Sequence, residues 1–148
     1  DVPADIPTDA QDAYKWIDDR YDGSSSNRDE ANFVRITDIL RTGMVPAASR
    51  AALLGALAKV PGVTITENVA NLDGVRGVAI GRSEPAREDA RQEIIIDPNT
   101  GLVIGERTLA GRAPDQIPWG PDGLTGLSAL QLTVVDAVPD LPADSPQG

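Results

Sequence analysis

The chain contains no cysteine and no histidine. Without cysteine there is no disulfide, no thiolate nucleophile and no sulfur-ligated metal. Without histidine, Ser-His-Asp and Cys-His catalysis and imidazole metal ligation are excluded within the chain. Aromatic residues make up 3%: Tyr14, Trp16, Tyr21, Phe33 and Trp119. The core must therefore be aliphatic, built from Leu, Ile, Val and Ala. No apolar run reaches the ~18 residues that a bilayer-spanning helix needs. A basic footprint is also missing, since the formal net charge is −10. Nucleic acid is thereby disfavoured as a partner, and so is an anionic membrane surface.

What is present is enough for one domain: 148 residues, 41% of them hydrophobic. The strongest local signal is Arg91 to Ala110, which reads as a β-hairpin. Ile94, Ile95 and Ile96 are β-branched and suit a pleated surface. Asp97-Pro98-Asn99-Thr100-Gly101 forms the connection. Asp97 can accept from a backbone N–H two residues on, Pro98 presets a turn, and Gly101 supplies a positive φ into Leu102-Val103-Ile104. A type I turn with a following bulge is expected, and Gly105 marks a bulge or a close backbone neighbour.

Before this hairpin the pattern is helical. Residues 1–7 form an extended entry. Thr8 with Gln11 suggests a capping box for a helix over 9–22, with Ala10, Ala13, Tyr14, Ile17 and Tyr21 on one stripe. Gly23 should end it. Asn27 with Glu30 repeats the signature for a helix over 28–41, which Gly43 stops. Pro46 leads a third helix, 47–59, rich in alanine and suited to close approach, ending at Pro61-Gly62. Arg50, early in this helix, opposes the dipole and is expected to reach into solvent, the alternative being an acidic or carbonyl partner. From Val63 the period changes to two. Strands are expected over 63–69 and 75–82, a polar loop over 83–90, a loop over 111–126, and a last strand over 127–138. Residues 139–148 form an acidic, proline-bearing tail, expected to be disordered. Helices followed by consecutive strands give an α+β fold: three N-terminal helices on one face of an antiparallel sheet of about five strands, a single domain over 8–138.

The motifs for chemistry are weak. Gly74 to Gly81 has neither dinucleotide nor Walker spacing, so its glycines are expected to relieve crowding where a helix crosses the strand. The Asp97–Gly101 turn resembles a calcium loop only faintly, because Thr108 stands where such a loop needs Glu. Asp18-Asp19, Asp29-Glu30 and Glu88-Asp89 fall on helix faces or polar loops and are expected to be solvated. Trp16, off the main stripe of its helix, is expected to pack at the core's edge. Trp119, between Pro118 and Gly120, is expected to plug the end of the sheet, or else to rim a pocket or interface.

Three segments together carry a resemblance: Val45-Pro46-Ala47-Ala48-Ser49-Arg50 running on to Pro61-Gly62-Val63; Asp73-Gly74-Val75-Arg76-Gly77-Val78-Ala79; and Ile94 to Gly101 with Gly105-Glu106. Over residues 8–138 the chain resembles the C-terminal, extracytoplasmic part of an uncharacterised actinobacterial family of single-pass membrane proteins, often encoded beside extracytoplasmic-function sigma factors. The arginine-rich, lysine-poor composition, eleven against two, agrees with a high-GC source. More distantly, the turn residues Asp97, Thr100, Gly101 and Leu102 are similar to those of lipoprotein-carrier and sigma-factor sensor domains of the cell envelope, whose curved sheets hold helices in their concavity. The resemblance implies a chain tethered outside the cell by a transmembrane segment ahead of Asp1, with further strands in the parent protein.

The expected function is thus a non-enzymatic sensing, binding or regulatory module without a cofactor, metal or catalytic residue. Its partner would be a lipid-like or peptide ligand or an envelope protein, with no membrane insertion by this segment itself. The ligand or partner surface is expected at Phe33, Leu40, Leu54, Leu57, Ile94, Ile96 and Trp119, most of which would also serve as core. Two alternatives stand beside it. One is a carboxylate/Arg-dependent hydrolase, which needs acids such as Glu67, Glu93 and Glu106 to converge on an Arg in a polar cleft. The other is a protein–protein module pairing through a sheet edge, 127–135 or 63–69.

Overall fold

The structure is a computed structural model, and it describes residues 3–111 and 124–131. Three helices, α1 (Ala10–Asp18), α2 (Arg28–Arg41) and α3 (Ala47–Lys59), precede five strands: β1 (Val63–Ala70), β2 (Arg76–Glu84), β3 (Ala90–Ile96), β4 (Val103–Leu109) and β5 (Leu124–Leu127). The sheet order is β1-β2-β3-β4-β5, each pair antiparallel. The fold is α+β as expected.

The helix ends follow local chemistry. The Asn27 side chain accepts from Glu30 N at 2.9 Å, and Glu30 Oε1 accepts in turn from Ser26 N at 2.8 Å. At α1 the cap is Asp9, not Thr8: its carboxylate accepts from both Gln11 N and Asp12 N at 3.0 Å, and a charged acceptor serves the exposed amides better than a hydroxyl. Helix α1 also stops at Asp18, earlier than expected. Guanidiniums satisfy its last carbonyls, Arg20 donating to Trp16 O at 2.9 Å and Arg28 to Asp18 O at 3.2 Å, so the chain turns away a turn before Gly23.

The core lies between the helices and one sheet face. Ile17, Ile36, Leu40, Leu53, Leu57, Ile80, Ile94 and Ile96 form one buried cluster. Where α1 crosses α3 the backbones come close: a Cβ at Gly55 would lie 2.7 Å from the Ala10 Cβ. On the opposite face a smaller cluster holds Val69, Ala79 and Ile95, with Ile104 and Leu127 packed against it. The three isoleucines thus serve both faces of β3, as alternation requires.

The hairpin connection carries the expected Asp97 bond, positive φ and bulge, and it closes through Gly101 N donating to Asp97 O at 2.8 Å. Asp97 Oδ1 accepts from Asn99 N at 2.8 Å, Gly101 takes φ +73°, and the register shifts by one residue between Ile95 and Ile96. Three expectations are corrected. Arg50 does not simply reach into solvent: it donates to Thr100 O at 3.0 Å and Val45 O at 2.9 Å, tying α3 to this turn. The β2 glycines do not face a helix crossing. A Cβ at Gly81 would lie 2.4 Å from Glu93 Cγ, so this glycine makes room for a neighbouring side chain on the face away from the helices. The last strand is 124–127, inside the stretch read as a loop, while 128–131 are not strand. The expected strand residues 132–138, the tail 139–148 and Trp119 lie outside the described residues.

Candidate functional site

Of the residues expected to form a ligand surface, Phe33, Leu40, Leu57, Ile94 and Ile96 are buried in the helix–sheet core. Leu54 is half-buried at its margin. The structure brings these six together as packing, and neither of the two larger grooves is lined by any of them.

The acids named for hydrolysis do not converge. Glu93 is paired in register with Arg107, and Glu106 with Ile94, so their side chains leave opposite faces of the sheet. Glu93, with its side chain 1% exposed, is held by Arg91 at 3.0 Å and by Arg107. Glu106 meets Arg41 at 2.6 Å on the helix side. Glu67 is exposed on edge strand β1.

A second ionic group joins the N-terminus of α2 to the far end of β2. Glu84, side chain 6% exposed, accepts from Arg82 and from Asn27 at 2.8 Å and from Ala86 N at 2.8 Å. Arg82 also donates to Pro61 O at 2.8 Å. Glu30, expected on a solvated face, is instead buried and paired with Arg87 at 2.6 Å. The Arg82 hydrogen bond, helped by Ala86 N, holds the Glu84 carboxyl down at about 2, from 4.5. Arg87 lowers Glu30 in the same way, Asn32 lowers Asp18, and Ser24 lowers Asp22. All four shifts favour the ionised form, opposite to what a general acid requires.

The open feature is a groove of about 400 Å³ between α1, α2 and the connection joining them. Its apolar lining is Pro3, Trp16, Ala31, Val34 and Ile39; Ser24 and Ser25 also line it, and Arg20, Arg35 and Asp38 supply charge. Trp16 lies in α1 and Arg20 four residues on, just past the helix's end at Asp18. The Arg20 guanidinium lies 3.6 Å from the Trp16 ring centre, a cation–π contact, and Asp5 accepts from the Trp16 indole N–H at 3.3 Å. Trp16 is half-buried against the core, as expected. Sequence reasoning missed Arg20, Val34 and Arg35. The available signal was Trp16 itself, an aromatic beside the apolar stripe with a cation one turn on.

A second groove, about 380 Å³, lies where the β1–β2 and β3–β4 turns meet residues 130–131, and includes Val75, Asp97, Leu102 and Leu130. Two smaller cavities, about 80 and 30 Å³, sit beside the ionic groups. Among the described residues no group of three or more acids could hold a metal ion, and no helix is long and apolar enough to cross a membrane. Comparison with protein-family models, curated proteins and solved structures finds no match.

Proposed function

We propose that this chain is a non-enzymatic binding or sensing module whose ligand seat is the α1–α2 groove, not the interior between helices and sheet. The observation that carries the reading is a contrast within one molecule. The buried carboxylates of Glu84, Glu30 and Glu93 are locked in ion pairs, and those of Glu84 and Glu30 are held ionised. The groove, by comparison, is open, set on two helices anchored in the core, and lined equally by apolar residues and by polar or charged ones. Its volume falls in the lower part of the about 300–1,000 Å³ range of small-ligand sites. The placement of the module outside the cell, tethered to a membrane and linked to sigma-factor regulation, is part of the same proposal. Its support is the resemblance of the three sequence segments given above.

The test is ¹H–¹⁵N NMR of the chain titrated with small neutral, anionic and cationic amphiphiles. Shifts gathered at Trp16, Ser24, Val34 and Ile39 support the groove. Shifts scattered over the surface, or none at millimolar concentration, refute it. A parent gene that codes no membrane or secretion segment ahead of Asp1 would refute the location.

A further inference from the structure

Resting on the groove as ligand seat, we infer that its ligand is a short peptide end presenting a free carboxylate to Arg35 and Arg20, with an apolar last side chain against Trp16, Val34 and Ile39. The argument starts from charge. Arg20 reaches its acid partner Asp5 at 3.5 Å, and Arg35 reaches Asp22 only at 4.0 Å. Every other ion pair among the described residues is at 3.1 Å or less. Of these pairs, the two loosest are thus the two whose cations line the groove.

Both guanidiniums are already positioned. Arg20 is stacked on Trp16 and donates to Trp16 O at 2.9 Å, and Arg35 donates to Arg20 O at 3.2 Å. Their remaining donors form the planar fork that matches a carboxylate. Asp38 also lines the groove, but Arg41 holds its carboxylate. A long acyl chain would need apolar cover on all sides. Here Ser24 and Ser25 line the groove together with Val34 and Ile39, and this mixed lining suits a peptide backbone beside one apolar side chain.

The probes are N-acetyl-Ala-Ala-Leu as the free acid and the same peptide as its C-terminal amide, titrated into the intact chain and followed at the Trp16 indole N–H. The acid is expected to bind about tenfold or more tightly than the amide, as one charge-assisted hydrogen bond suffices to produce. Arg35→Gln is expected to narrow that difference, the acid losing more affinity than the amide, and an undiminished difference overturns the role given to Arg35. If that variant fails to fold, the acid–amide comparison on the native chain still decides. Equal binding of acid and amide overturns carboxylate recognition but leaves the groove as a seat. Binding of neither, with the amphiphile titration positive, overturns the peptide ligand alone. Silence in both titrations overturns the groove as well.

Discussion

Replacing Glu84 by Gln tests the ionic joint between α2 and the sheet. The carboxylate is nearly sealed from solvent and accepts from Arg82, Asn27 and Ala86 N. Gln keeps the shape and one acceptor oxygen but loses the charge, leaving the guanidinium of Arg82, 8% exposed, without the anion that it pairs with. Two routes give the magnitude. A carboxyl moved from 4.5 to about 2 on folding stabilises the native state by about 3 kcal/mol at neutral pH. Breaking a buried pair by removing one member costs about 3–5 kcal/mol. Glu84→Gln is therefore expected to cost about 3 kcal/mol in urea unfolding followed by circular dichroism at pH 7. The sign with pH follows from the depressed folded value. The unfolded chain protonates Glu84 near 4.5 while the native state keeps it charged, so the contribution is whole above about 4.5 and fades as pH falls toward 2. The gap between native chain and variant should close over that window. Glu106→Gln is the comparator, because its carboxylate is 40% exposed and such pairs contribute about 1 kcal/mol or less. A Glu84→Gln cost no larger than that of Glu106→Gln, or a gap unchanged from pH 7 to pH 2, would refute the reasoning.

Two further predictions address the frame that carries the groove. Gly55→Val should destabilise by about 1–3 kcal/mol, since its Cβ would fall 2.7 Å from that of Ala10 and force α1 off α3; a neutral effect on the melting transition would contradict this. Arg50→Ala should speed amide exchange at Gly101 and Leu102 and cost about 1–2 kcal/mol by freeing Thr100 O and Val45 O; unchanged exchange there would show the tie to be without effect.

The limits of sequence reading show in particular residues. Helices α2 and α3 begin and end where expected, because Asn27, Glu30, Pro46 and Pro61-Gly62 act on neighbouring backbone alone. The end of α1 was not legible, since it depends on where Arg20 and Arg28 send their side chains. Strand β5 was hidden because Leu124-Thr125-Gly126-Leu127 has almost no alternation and forms only by pairing with Arg107–Leu109. Phe33, Leu40, Leu57, Ile94 and Ile96 are buried-type residues and are buried, but periodicity cannot separate the wall of a pocket from the filling of a core. The groove was harder still. It joins Pro3, Trp16 and Ile39 through the α1–α2 crossing, and nothing local in the sequence encodes that meeting. Glu30 and Glu84 were illegible as buried groups because Arg87 and Asn27, which reach them across the fold, are each 57 residues away.

The location of Glu93 has a consequence for how the sheet finds its alignment. Three successive isoleucines satisfy an apolar demand on either side, so β3 slipped by one residue would still cover both clusters. Glu93 breaks that degeneracy. In the native alignment its carboxylate lies over Gly81 and meets Arg107 across the strands. After a one-residue slip it would turn to the helix side of the sheet, away from Arg107, and Gln92 or Ile94 would be pressed against Gly81 in its place. A single acid, costly everywhere but in one place, lets a uniform apolar strand dock in one register.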